Sequence, residues 1–251
     1  MKKIAIFIIC ILLISSIYAA EIHRWKMDET SGSIAYDSVG GVHGTLANGA
    51  YFSDGAAHFD GVDDVININP TIRLHDTTNW TISINYKGTD TSGTGTYGTS
   101  LIGVNTGDWW GLITLVGGKV KFLHATSNGY HITWDNLIGT TNVADNDWHN
   151  IVIKNYSNAT AEIFVDENLE VSGSSLMAGT PSQDVMSLRI EHFMLGVSSN
   201  YTSGAIKDIR IFDHAVTEDF MAAGNIPEPN SLILSIILLA GLNYFFMKIY
   251  R

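Results

Sequence analysis

The chain has 251 residues, with 14 Lys and Arg against 25 Asp and Glu, and only 16% of its side chains are charged. Between the two ends, residues 21–226 carry 10 basic and 24 acidic side chains, a net of −14. That balance excludes nucleic acid as a partner, because such binding rests on clustered Lys and Arg. The single cysteine, Cys10, lies in the first apolar run, so the rest of the chain has neither a disulfide framework nor a thiol-based site.

Residues 1–20 place Lys2 and Lys3 ahead of an apolar run from Ile4 to Leu13, then Ser15, Ser16, Ala19 and Ala20. This order predicts a secretory signal peptide ending near Ala20. The alternative, an uncleaved anchor, would need the ~20 apolar residues of a membrane span. The exported part, 21–225, must then rely on its own core, and about 205 residues are enough for one.

Within that part the apolar residues recur with a period of two, which predicts strands. Residues 22–29 put His23, Trp25 and Met27 on one face of a first strand. A Gly-rich loop over 36–46 follows, then short strands at Ala57–Phe59 and Val65–Ile68, split by Asp60, Gly61, Val62, Asp63 and Asp64. Trp80–Tyr86 alternates again, and 88–99 is Gly, Thr and Ser, a mobile loop by composition. Leu112–Val116 and Lys119–Leu123 flank Gly117-Gly118, a two-residue hairpin signal, since glycine takes positive φ without strain. Tyr130–Trp134 continues the pairing.

The strongest pattern is 148–171. Ile151 and Ile153 alternate with Val152 and Lys154, and Ala161, Ile163 and Val165 alternate with Glu162, Phe164 and Asp166. The Asn-rich link 155–160 predicts one turn, and Asp166–Asn168 a second one leading to a third strand, 169–171. Apolar residues on both faces place this hairpin inside a stack of sheets. Strands at 187–190 and 205–212 and a short helix over 218–223, capped by Thr217, complete the chain. Many short strands without helix–strand alternation predict an all-β, two-sheet antiparallel sandwich. Its inner faces should include Trp25, Ile82, Ile84, Ile151, Ile153, Ile163, Val165, Ile209 and Ile211.

The end of the chain differs. Pro227-Glu228-Pro229 removes backbone donors and holds the chain extended. Leu232–Met247 is apolar except for Ser235 and Asn243. As a helix it is roughly 24 Å long, close to a bilayer core, and Lys248 and Arg251 behind it predict a cytoplasmic C-terminus.

Two resemblances follow from these pieces. The segments W-K-M-D-E-T-S-G (25–32), A-Y-D-S-V-G-G-V-H-G-T-L (35–46), H-F-D-G-V-D-D-V-I-N-I (58–68), W-T-I-S-I (80–84), W-H-N-I-V-I (148–153), I-F-V-D-E (163–167) and G-A-I-K-D-I-R-I-F-D-H-A-V (204–216) resemble, in order and spacing, the laminin G-like, concanavalin A-like jelly-roll domains of bacterial surface proteins. Asn85 stands where that family usually has Trp, Asp166-Glu167 where it has Asp-Gly, and Lys207-Asp208 where it has two acids. The resemblance implies a jelly roll over 21–225 and a structural Ca²⁺, with Asp28, Asp37 and Asp208 as its ligands. It also implies that Trp25, Trp80 and Trp148 are core residues. Residues 226–251 resemble a PEP-CTERM sorting signal. That implies recognition of Pro227, Glu228 and Pro229 by an exosortase, a membrane protease of Gram-negative bacteria that make extracellular polysaccharide. An ordinary membrane anchor at 232–247 is the alternative.

Trp109, Trp110, Tyr130 and Trp134 are the candidate ligand-binding residues, because exposed aromatic faces stack on sugar rings; packing in the core or at its rim is the other reading. Asp60, Asp63 and Asp64 are dense enough to resemble metal ligands, although such a turn is common in the family. No pair among the nine His has zinc-site spacing. The Glu-x-Asp-x-x-Glu pair of carboxylates of jelly-roll glycosidases is absent, and Glu162 with Asp166 comes nearest. The expectation is an exported, non-catalytic surface or matrix protein with a lectin-like domain that binds polysaccharide. It would be tethered in the inner membrane before processing and would lie at the cell surface or outside the cell afterwards. A structural or protein-binding sandwich is the alternative, and a glycoside hydrolase a third.

Overall fold

The computed structural model describes residues 21–68, 72–74, 79–93, 98–104, 110–127, 132–158, 160–174, 188–190, 193–195 and 201–216. The chain divides into two units, 1–216 and 217–251, and every described residue belongs to the first. The expected signal peptide, the short helix at 218–223, Pro227, Glu228, Pro229 and the apolar segment 232–247 lie outside the described residues.

Among the described residues there are strands and no helix. In chain order they are β1 (Glu21–Trp25), β2 (Ile34–Ala35), β3 (Gly44–Ala47), β4 (Tyr51–Ser53), β5 (Ala56–Asp60), β6 (Val65–Ile68), β7 (Ile72–Leu74), β8 (Trp80–Lys87) and β9 (Thr99–Val104). They continue with β10 (Trp110–Val116), β11 (Lys119–Ser127), β12 (Ile132–Asn142), β13 (His149–Tyr156), β14 (Thr160–Val165), β15 (Asn168–Ser174), β16 (Leu188–Ile190), β17 (Phe193–Leu195) and β18 (Ser203–Phe212). One sheet runs β15-β14-β13-β8-β18-β5-β4, with β1 also on β18. The other runs β12-β11-β10-β9-β17-β6-β3-β2, and β7 pairs with β16. The strands pair antiparallel throughout, so the expected all-β sandwich of antiparallel sheets is what the chain forms.

The pairing follows from the alternation. Ile151 faces Val165 and Ile153 faces Ile163 across β13–β14, while Ile84 and Ile82 face Ile151 and Ile153 across β8–β13. All nine expected inner residues are at most 2% exposed and belong to one core. Trp80 of the first sheet meets Phe122 of the second edge to face, with centroids 6.0 Å apart. Gly117 and Gly118 have φ of +55° and +79°, as a tight hairpin between β10 and β11 requires.

Two expectations are corrected. The first strand stops at Trp25 rather than running to residue 29, because Met27 turns the chain at φ +61° and Lys26 O accepts the Asp208 N–H instead. The hairpin β13–β14 keeps the inner place expected of it, between β8 and β15 and buried on both faces, with only β15 at the edge. Its outer apolar residues are covered locally: Lys154 lies over the Phe164 ring, 4.3 Å from the centroid. Trp148 is 36% exposed and not a core residue; it carries the Lys207 ammonium over its ring at 4.0 Å.

β18 organises the first sheet. Its Ser203–Ile206 half pairs with β5 and its Ile209–Phe212 half pairs with β1, both along one side, while β8 runs along the other. The switch between partners falls at Lys207–Asp208, where the register with β8 shifts and Asp208 takes φ +45°.

Candidate functional site

The three expected Ca²⁺ ligands come apart. Asp37 is buried, and its carboxylate is fully used. Oδ1 accepts the N–H groups of Arg24, Val39 and Gly40, and Oδ2 accepts that of Val42 at 3.0 Å and bonds His23 Nδ1 at 2.7 Å. Burial alone would raise its pKa, but the His23 bond and the backbone donors outweigh it and hold the carboxyl below its ordinary value. Asp208 Oδ1 accepts from Arg24 Nε at 2.7 Å. Asp28 is exposed. Arg24 therefore supplies the positive charge that ties β1 to β18, and this arrangement does not fit a Ca²⁺ held by Asp28, Asp37 and Asp208.

The aromatic candidates distribute differently. Trp110 opens β10 opposite Val104, and Trp134 lies in β12 opposite Ala125, so their backbones share the second sheet. Trp109 and Tyr130 lie outside the described residues. Glu162 of β14 accepts the Tyr156 hydroxyl at 2.6 Å. Asp166, its proposed catalytic companion, instead sits in the turn before β15, where Oδ2 bonds His149 Nδ1 at 2.7 Å and Oδ1 accepts the Asn150 N–H. His149 Nε2 also reaches Asp145 Oδ1 at 3.0 Å. Burial would lower the His149 pKa, but the two carboxylates prevail and raise it.

On the same second sheet lies a row of polar side chains that single-residue inspection of the sequence misses. Lys121 of β11, Thr114 of β10 and Ser100 of β9 are direct cross-strand partners. They face away from Phe122, Val120, Ile113 and Leu115, which fill the core side. The signal was present: a polar residue sits between two apolar ones in I-T-L and V-K-F, so a period of two turns it outward. Outward polar residues are normally solvated, but all three are at most 3% exposed. Burial lowers the Lys121 pKa. The Ser100 and Thr114 hydroxyls, and that of Thr99 beside them, are buried without a hydrogen-bond partner. Such groups cost free energy unless something completes them.

A second cluster lies where the chain crosses between sheets after β5. Asp60, Asp63 and Asp64 bring one carboxylate oxygen each to within 4.8 Å of one another. Asp64 Oδ2 accepts the Asp60 N–H at 2.8 Å, and Asp60 Oδ1 accepts that of Val62 at 2.7 Å.

The fold places the chain among known proteins. Residues 60–220 match the laminin G-type profile described as the concanavalin A-like lectin/glucanases superfamily. The binding domain of Paraclostridial Mosquitocidal Protein 1 superposes with a TM-score of 0.60 at 13% identity, over 79% of this chain and 50% of that one. Domain 4 of AbnA, an extracellular arabinanase from Geobacillus stearothermophilus, solved with arabinotriose, gives 0.57 at 19% identity, over 80% and 96%. The botulinum neurotoxin serotype D ligand-binding domain, solved with N-acetylneuraminic acid, gives 0.55 at 13% identity, over 80% and 49%. The chain thus spans about half of these toxin chains and nearly all of the arabinanase domain. At these identities the likeness is one of fold. No curated protein matches the sequence.

Proposed function

Because the chain belongs to the concanavalin A-like lectin/glucanases superfamily, we propose that it is an exported, non-catalytic surface or matrix protein whose sandwich binds polysaccharide through the outer face of its second sheet. The observation that carries this reading is the fold itself, shared with two domains solved with sugars; the row Lys121, Thr114 and Ser100 is at most 3% exposed and lies beneath that face, out of a ligand's direct reach. Trp110 and Trp134 come from strands of the same sheet and supply candidate stacking surfaces. Two relatives in fold were solved with sugars, arabinotriose and N-acetylneuraminic acid. Glu162 is bonded to Tyr156 on a hairpin arm, which supports a binding role over hydrolysis.

Export and sorting rest on the ends of the chain. The signal peptide delivers it, Leu232–Met247 holds it in the inner membrane, and an exosortase takes hold of Pro227-Glu228-Pro229. Glu228 carries the motif's only charge and is the group a basic recognition pocket would read.

Detergent-solubilised full-length protein on an array of bacterial polysaccharides tests the binding. A saturable ligand whose affinity falls about tenfold in Trp110→Ala and Trp134→Ala is expected. Absence of any glycan ligand would return the domain to a structural or protein-binding role. Hydrolysis lost in Glu162→Gln would make it an enzyme. For the tail, Glu228→Ala should hold the full-length form in the membrane fraction. Identical fractionation with and without the exosortase would leave the tail as an anchor only.

A further inference from the structure

We propose that the crossover turn Asp60–Asp64 binds one Ca²⁺ ion, in a place separate from the Arg24–Asp37–Asp208 cluster.

The turn joins β5 of one sheet to β6 of the other, and the neighbouring turn Asn48–Gly49 joins β3 to β4 across the same gap. The two turns are tied together: Asn48 Nδ2 donates to Asp63 O at 2.9 Å. Gly49 has φ +130°, and a Cβ there would stand 2.7 Å from Asp64 Oδ1, so only glycine lets the backbone approach this carboxylate so closely.

Three carboxylates converge here, with their nearest oxygens within 4.8 Å. Calcium–oxygen bonds are about 2.4 Å, so oxygens on opposite sides of one ion lie roughly 4.8 Å apart. Three oxygens with these separations surround a centre no more than about 2.8 Å from each, so a single ion touches all three once the exposed Asp60 and Asp63 side chains close in by a few tenths of an ångström. Asp60 and Asp63 are exposed and leave its outer side open to water, which suits a cation that takes six to eight oxygens.

Convergence of acids is not enough by itself. The independent observation is the state of Asp64. Its side chain is 2% exposed, and Oδ1 is buried without a hydrogen-bond partner. Two other carboxylates among the described residues are buried and supplied with donors: Asp37 by backbone N–H groups and His23, and Asp90 by the Ser92 N–H and hydroxyl. The fold supplies donors for these two and leaves Asp64 Oδ1 without one, against Gly49, on a residue whose carboxylate lies beside two further acids. A buried anionic oxygen without a donor is completed by a cation.

The test uses full-length protein in detergent, stripped with EDTA and titrated with Ca²⁺ by calorimetry and by thermal melting. One ion per chain and a melting temperature that rises with free Ca²⁺ are expected. Asp63→Asn, on an exposed residue, should weaken binding at least tenfold without changing the calcium-free melt. Asp64→Asn keeps an oxygen for the Asp60 N–H and should abolish saturable binding. Asp208→Asn should bind as the parent does. If Asp64→Asn does not fold, Asp63→Asn decides. No saturable Ca²⁺ binding, binding unchanged in Asp63→Asn, or binding lost in Asp208→Asn would each overturn the proposal.

Discussion

A carboxylate's role is set by the donors around it, and Asp37 shows why residue type alone misassigns it. In the sequence it is an acid in a Gly-rich loop; in the fold it closes that loop by accepting four backbone N–H groups and holding His23. None of those donors is visible as a side-chain motif, because backbone groups carry no residue signature. Asp37→Ala would strand them inside the protein and should cost at least about 2 kcal/mol in urea unfolding. The same change at exposed Asp28 should stay within about 0.5 kcal/mol. The Asp166-Glu167 turn is the converse case. The sequence marks it as the place where glycine is usual, and both residues do take positive φ, +48° and +68°. Left-handed backbone costs a side-chain-bearing residue roughly 1–2 kcal/mol, partly offset in glycine by unfolded-chain entropy. Glu167→Gly should therefore stabilise the protein by up to about 1 kcal/mol, seen as a higher melting temperature.

Strands read from alternation were found wherever one face is apolar. β8, β13, β14 and β18 were all legible on that ground, as was the Gly117-Gly118 hairpin. β4, β7 and β17 have three residues each, too few for a period to register, and β9 begins with Thr and Ser that are buried rather than solvated. What alternation could not reveal is how the edges of the two sheets meet. Glu170 of β15 reaches across to β12, accepting the N–H and hydroxyl of both Thr140 and Thr141. One carboxylate thereby occupies edge donors that would otherwise invite another strand. Burial would raise the Glu170 pKa, but these four bonds dominate and bring it from 4.5 to about 2. A lowered folded-state pKa gives stability that is present above the unfolded value and lost as pH falls through the folded one. The parent should therefore lose thermal stability as the pH drops from 4.5 to about 2. Glu170→Gln should start lower at neutral pH and converge with the parent across that interval. Parallel melting curves for the two proteins would show that the clasp contributes nothing.

At the scale of the molecule, the first and last described strands are neighbours: Arg210 Nε meets Glu21 Oε1, and Trp25 pairs with Ile209. β18 is also not a late addition to an edge. It runs between β8 on one side and β1 with β5 on the other, so its removal would split the sheet through the middle. A chain ended after residue 202 should show no cooperative melting and no near-ultraviolet circular dichroism, while the full chain shows both. Contacts that span nearly the whole sequence also predict slow folding, because loop closure precedes any gain from them. The consequence is one of timing. A polypeptide delivered N-terminus first cannot close this sheet until residue 212 has arrived. Until then it remains an open thread that a translocation channel can pass. On the export route proposed above, the last strand would act as a clock, because the apolar segment at 232–247 is only about 20 residues behind it. Locking of the domain and arrival of the tail would then coincide.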